Sequence, residues 1–164
     1  MLHVVLVQPQ IPPNTGNIIR LCANTGARLH LVEPLGFTMD DTRLRRAGLD
    51  YHEWADVQVH ATFAEAVADI PAARRFGLTN RGLHRFHDRA FSTGDALIFG
   101  SETSGLSTQI RAALGEEQLL RLPMRPPSRS LNLPTPSRSA FTRPGVRSAS
   151  LGRAECPPHP RIRG

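Results

Sequence analysis

Residues 2–33 read LHVVLVQPQIPPNTGNIIRLCANTGARLHLVE, and this stretch decides the fold class. Residues 2–7 are a short apolar run of strand length. Residues 8–13 leave it as an extended loop stiffened by Pro9, Pro12 and Pro13. Asn14 is placed to cap a helix running to about Thr25. Ile18, Leu21, Cys22 and Thr25, at i, i+3, i+4 and i+7, form its inward stripe. Gly26 is a helix stop, and residues 28–33 give a second strand closed by Pro34 and Gly36. Strand, helix and strand in so short a span predict parallel pairing through a right-handed crossover.

The alternation continues downstream. A short helix over 38–48, capped by Asp40, carries Arg43, Arg45 and Arg46. Thr62-x-x-Glu65 is a capping box that opens a helix to about Asp69. Residues 75–79 form a strand, 80–92 a polar and basic loop, and 95–100 a buried, largely apolar strand. Ser107 caps a helix to about Leu114, and 119–122 is the last strand before a Pro-rich loop at 123–130. The expected class is therefore α/β with a parallel sheet.

Composition narrows the function less than the net charge of +6 suggests. Residues 1–133 carry fourteen arginines against thirteen acids, whereas 134–164 carry six against one. The basicity belongs to the tail, so it is weak support for nucleic-acid binding by the domain. All twenty basic residues are arginine, as GC-rich coding produces. Cys22 and Cys156 imply no disulfide framework. No signal peptide and no apolar run of membrane-spanning length is visible, so a cytoplasmic protein without a membrane partner is expected.

Ligands of open α/β sheets bind at the carboxyl ends of the strands, where loops 9–17, 100–106 and 123–133 are expected. Asn14-Thr-Gly-Asn17 at a helix start is either an anion site or an ordinary turn. The dinucleotide and triphosphate glycine fingerprints are missing. Arg20 either binds phosphate or forms a salt bridge. Glu102 accepts hydrogen bonds at the site or, the simpler reading, braces its loop. His84-x-x-His87 lacks neighbouring Cys or clustered carboxylates, so no metal is expected. Arg81, Arg85 and Arg89 are either a solvated face or RNA-phosphate contacts.

Three segments together resemble a known family. Ile11-Pro-Pro-Asn-Thr-Gly-Asn-Ile-Ile-Arg20-Leu-Cys-Ala-Asn-Thr-Gly26 resembles the first motif of SPOUT-class RNA 2′-O-methyltransferases. Ile98-Phe-Gly-Ser-Glu-Thr-Ser-Gly-Leu106 is similar to the second, and Leu122-Pro-Met-Arg-Pro-Pro-Ser-Arg-Ser-Leu-Asn-Leu133 to the start of the third. Arg43-Leu-Arg-Arg-Ala-Gly-Leu-Asp-Tyr-His-Glu53 narrows the resemblance to the tRNA (cytidine(34)-2′-O)-methyltransferase family. The resemblance covers residues 1–133.

It implies a SPOUT-type parallel sheet with helices on both faces, a C-terminal trefoil knot and a homodimer. S-adenosylmethionine would be the cofactor, and the wobble ribose of leucine tRNAs the acceptor. Carried over by position, Leu78, Gly100, Leu122 and Ser130 would line the cofactor pocket, with Asn132 in the knot loop. Asn17, Arg20 and Glu102 would lie on the acceptor side. Arg20 would then be either a general base or a cation stabilising the developing alkoxide. A guanidinium in water gives up its proton only above about pH 12, which favours the cation.

The chain departs from the family after Leu133. Residues 134–164 hold six prolines, which interrupt any final helix. The family continues with Ser-Asn-Ala, an apolar helix and a Tyr-Glu pair. Residues 134–146, back-translated and read one nucleotide earlier in each codon, permit SNAVAVGVYEAWR. We read this as a single-nucleotide frame change near the Leu133 codon, in the gene or in its reading, which leaves the knot incomplete. The alternative is a genuine disordered basic tail that binds RNA nonspecifically, the whole chain then being a non-catalytic RNA-binding protein.

Overall fold

The computed structural model describes residues 1–39 and 57–122. Among the described residues seven strands form one sheet: β1 (His3–Val7), β2 (Arg28–Val32), β3 (Val57–His60), β4 (Arg75–Leu78), β5 (His84–Arg85), β6 (Ala96–Phe99) and β7 (Leu119–Arg121). Their order is β3-β2-β1-β6-β4-β7-β5, and every pairing is parallel. Three α-helices accompany them among the described residues, α1 (Pro12–Thr25), α2 (Phe63–Ala66) and α3 (Thr108–Leu114).

The two faces of the sheet follow from the two-residue period of its strands. Val4 and Leu6 of β1 join Leu29, Leu31, Leu97 and Phe99 in a core closed by Ile18, Ile19 and Cys22 of α1. Val5 and Val7 point the other way, into a core with Val32, Ile98, Ala66 and Leu114 on the α2 and α3 side. Helices therefore cover both faces, as the resemblance implies. Each fully buried Leu, Ile or Val in these cores contributes about 1.5–3 kcal/mol.

Helix α1 keeps its expected end but not its expected start. Gly26 adopts φ 67° and donates its backbone N–H to the Cys22 carbonyl. The N-cap is Ile11, with Pro12 and Pro13 at the first two helical positions. Proline at that point loses no intrahelical hydrogen bond and presets φ, so the start lies earlier than Asn14. Asn14 stands inside the first turn, with its side chain available for another purpose. The buried stripe is Thr15, Ile18, Ile19 and Cys22, whereas Thr25 is exposed and Leu21 only half-buried. The spacing is the expected one, displaced by three residues.

The N-cap half of the box at Thr62 forms, with Glu65 N–H donating to Thr62 Oγ1 at 3.2 Å, while Glu65 Oε2 accepts from Ala61 N–H at 3.1 Å, one residue before the N-cap. The helix it opens is a single turn, not a run to Asp69. Ser107 caps α3 through the Ile110 N–H. The 80–92 segment is more structured than its polarity suggests. Phe86 is fully buried, and Phe91 packs on it at 4.9 Å between ring centroids. The helix expected over 38–48, Ser130, Asn132, Cys156 and all of 134–164 lie outside the described residues, the first of these apart from its opening two positions.

Strand β7 lies between β4 and β5, which are consecutive in the chain. The connection 79–83 therefore passes across β7. Thr79 N–H donates to the Leu120 carbonyl at 2.9 Å, and Gly82 lies against the β7 backbone. A Cβ at Gly82 would stand 2.6 Å from the Leu120 carbonyl carbon, so only glycine permits this approach.

Candidate active site

The loops after β1 and β6 meet at the carboxyl edge of the sheet, and one carboxylate joins them. Glu102 Oε2 accepts from Gln10 N–H at 2.8 Å. Its Oε1 accepts from Ile11 N–H at 3.3 Å and from Asn14 Nδ2 at 3.2 Å. The carboxylate thus takes up two backbone donors beside the α1 N-cap and one amide from the first turn. These are the hydrogen bonds of a brace, and they are charge-assisted. Pattern alone could not reveal the Asn14 contribution, because its partner comes from a loop 88 residues away. The Pro12-Pro13 pair was the available signal: it sets the helix start at Ile11 and leaves the Asn14 side chain unused for capping.

The β1 loop is further shaped from its own side. Gln8 adopts φ 51°, uncommon for a residue with a Cβ. Its N–H donates to the Val32 carbonyl and its own carbonyl accepts from Gln10 Nε2 at 2.9 Å. Gly36 N–H donates to the Pro9 carbonyl. The loop is thereby tied to β2, to itself and to Glu102.

Loop 100–106 doubles back on itself. Ser101 and Gly105 form a bridge, with Gly105 N–H on the Ser101 carbonyl at 2.8 Å. A Cβ at Gly100 would fall 2.0 Å from the Gly105 carbonyl carbon, so this position must be glycine. Ser101 Oγ lies 2.7 Å from Ser104 Oγ and accepts from Ser104 N–H. The turn is a rigid shelf whose Glu102 faces the β1 loop.

The other site residues sort by element. Leu78 ends β4, Gly100 follows β6, and Leu122 follows β7, on three adjacent strands. Leu78 and Leu122 are half-buried, and they give this edge apolar surface of the kind that accepts a flat aromatic ring. Asn17 and Arg20 lie on α1 three and six residues beyond Asn14, Asn17 exposed and Arg20 half-buried. Glu102 and Asn14 touch, and α1 carries Asn17 and Arg20 onward from that contact. Ser130 and Asn132 are not among the described residues. His84 lies 3.2 Å from Glu117, and His87 stacks edge-on against Phe86. No cluster of metal-ligating side chains occurs among the described residues. No described helix is long and apolar enough to cross a membrane.

A parallel sheet with braced, glycine-dependent loops at its carboxyl edge and β7 between β4 and β5 is the architecture of the SpoU methylases. The SpoU rRNA Methylase family matches residues 1–137, and the chain belongs to that family. Among its relatives is the tRNA (cytidine(34)-2′-O)-methyltransferase of Burkholderia pseudomallei, 61% identical over 136 residues, covering 81% of this chain and 86% of that protein. The enzyme of the same name from Methylovorus glucosotrophus is 56% identical with the same coverage. A structure solved for the 2-OH methylation of C/U34 on tRNA superposes with a TM-score of 0.77 at 41% identity, covering 85% of this chain and 91% of that one. The Streptomyces viridochromogenes SpoU methyltransferase AviRb, solved in complex with the cofactor AdoMet, shares the fold at a TM-score of 0.71 and 23% identity, covering 86% of this chain and 55% of that one. The family match ends within four residues of the Leu133–Pro134 junction.

Proposed function

We propose that this chain is by descent an S-adenosylmethionine-dependent methyltransferase that modifies the ribose 2′-hydroxyl of nucleotide 34 in tRNA. The observation that carries this reading is the Glu102 brace between loops 9–14 and 100–106. It joins the first turn of α1, the helix that carries Asn17 and Arg20, to the loop after β6 that begins at Gly100. Kinship above 50% identity with enzymes of that name supports the substrate class. Leucine isoacceptors, a homodimer and a cytoplasmic location belong to the same proposal.

The half-buried Leu78 and Leu122 and the backbone of the Gly100 turn fit a cofactor with an aromatic base, and Ser130 and Asn132 would complete its pocket. The cofactor, when bound, supplies an activated methyl on a sulfonium with a good leaving group. The chain's residues then have two tasks. The first is orientation, because in-line displacement needs the hydroxyl opposite the sulfur, and holding it there removes much of the barrier. Glu102 serves this task indirectly, as a positioning residue. The second is the hydroxyl proton. Arg20 offers a fixed positive charge that favours the alkoxide as it develops and can hold the adjacent phosphate. Asn17, one turn earlier, offers amide donors and an acceptor on the same side of α1.

We further propose that the functional unit is the SPOUT domain at 1–133 and that 134–164 arises from a frame change. Sequencing the coding DNA at Leu133 tests this, and an in-frame reading with unrelated codons overturns it. The six prolines of 134–164 disfavour the family's final helix, so weak cofactor binding is expected of the 164-residue chain. Tight stoichiometric binding of S-adenosylmethionine by that chain in calorimetry would contradict this. The functional reading is tested by nuclease digestion and mass spectrometry of tRNA incubated with cofactor and either chain. A 2′-O-methyl nucleoside at position 34, produced by the reframed chain, is the expected result.

A further inference from the structure

The three arginines of the 80–92 segment separate in the fold. Arg89 lies over the Phe76 ring, 4.6 Å from its centroid. Arg81 and Arg85 are exposed. Arg85 stands in register with Arg121 on the neighbouring strand, and Arg121 is exposed as well. Parallel neighbours in register present their side chains on the same side, about 4.8 Å apart. Like charges so placed repel. No carboxylate forms a salt bridge with Arg81, Arg85 or Arg121 among the described residues; Glu117, close by, is paired with His84.

The backbone beneath this patch is held firmly. Gly82 lies against Leu119–Arg121 with no room for a Cβ, and Arg81 N–H donates to Thr79 Oγ1 at 3.3 Å. Phe86, immediately after Arg85, is fully buried and anchors the strand from inside. Leu83, between the arginines, is 64% exposed. An edge strand protected only against strand addition needs charge of either sign. Here the three charges are all guanidinium, without a carboxylate partner among the described residues, and carried by a fixed backbone. Such an arrangement binds phosphate oxygens bidentately.

We propose that Arg81, Arg85 and Arg121 form a ledge on the β5 edge that grips the phosphate backbone of the tRNA substrate. This rests on the wobble-methylation reading above and adds to it a basic surface beside the strand ends. The ledge positions RNA and reads no base.

The test is the salt dependence of tRNA binding by the full 164-residue chain, measured by fluorescence anisotropy, for wild type, R81Q/R85Q/R121Q and R81K/R85K/R121K. Removing one phosphate contact should lower the slope of log K against log salt by about 0.7 to 0.9. The glutamine variant should therefore have a slope shallower by about two units and an affinity weaker by about tenfold or more near 0.1 M salt. The lysine variant should keep most of the slope. Thermal melting of each variant reports on folding, and these exposed positions should leave it unchanged. Unchanged affinity and slope in the glutamine variant overturn the ledge, as does a variant that only self-associates while binding RNA normally. The wobble reading is judged separately, by methyl transfer to position 34. Transfer by the reframed chain together with normal binding in the variants removes the ledge alone, and a wild-type chain that does not bind tRNA also removes the ledge; a reframed chain that transfers no methyl to position 34 removes the wobble reading.

Discussion

The Glu102 carboxylate accepts a hydrogen bond from the Asn14 side-chain amide at 3.2 Å, joining the first turn of α1 to the loop after β6. With the Gln10 and Ile11 N–H groups also on Glu102, one side chain sets the distance between the two loops. Glu102→Ala should cost about 1–3 kcal/mol of stability, because it removes hydrogen bonds to a charged acceptor. In the reframed enzyme it should lower kcat about 100-fold, the scale of a displaced catalytic group. Asn14→Ala should cost less. If both residues act through their mutual contact, the double variant will fall short of the sum by about 0.5 kcal/mol or more. A double-mutant cycle on urea midpoints and on kcat checks this; strict additivity would deny the coupling.

Arg20 separates charge from guanidinium chemistry. As a cation that favours the alkoxide, it should be replaceable in part: Arg20→Lys should keep turnover within about tenfold, while Arg20→Gln should lose about 100-fold or more. Single-turnover methyl transfer distinguishes the cases. Equal loss in both variants would point to a role that only the guanidinium can fill.

Much of this architecture was legible in the sequence. The β1–α1–β2 unit, the Gly26 stop and the caps at Thr62 and Ser107 depend on local chemistry and stand where the residues indicated. Strand β3 was not read from residues 57–60, and three further features were not legible. The start of α1 moved because Pro12 and Pro13 outrank Asn14 in setting it. The 80–92 loop hid its anchors because Phe86 and Phe91 are isolated among polar residues with no period. The insertion of β7 between β4 and β5 is a matter of topology, which no local pattern encodes. The sequence shows Glu102 in the loop after β6, but its partners in the β1 loop and the first turn of α1 arise from a long-range contact.

A chain of three imidazoles crosses the sheet on the α2 and α3 side. His3 Nδ1 lies 3.0 Å from His30 Nε2, and His30 Nδ1 lies 3.0 Å from His60 Nε2. Burial, then the neighbouring His3, His60 and Arg28, lower the His30 pKa to about 4. Burial and Arg28 lower that of His3 as well. The unfolded chain takes up protons near pH 6.5, whereas folded His30 does so only near 4. Stability from this group is therefore full above about pH 6.5 and is lost as pH falls toward 4. The loss should reach up to about 3 kcal/mol. Urea midpoints between pH 7.5 and 4 should fall in wild type and fall less in His30→Gln. A flat wild-type profile would contradict the burial argument.

Thr15 faces the core from α1, fully buried, and its hydroxyl has no hydrogen-bond partner among the described residues. Thr15→Val keeps the shape and removes the unsatisfied group. It should raise stability by about 1 kcal/mol, read as a higher thermal midpoint with unchanged far-ultraviolet circular dichroism. A lowered midpoint would mean that the hydroxyl has a partner in solution, such as bound water.

The proposed reaction adds one methyl group to one hydroxyl of one nucleotide. The most direct measurement compares tRNA carrying cytidine at position 34 with the same tRNA carrying 2′-deoxycytidine there. Each is incubated with the reframed chain and radiolabelled S-adenosylmethionine. The expected result is about one methyl group per molecule of the first tRNA, from a single acceptor hydroxyl held in line, and none on the second. Equal labelling of both, or label on neither, would contradict the claim.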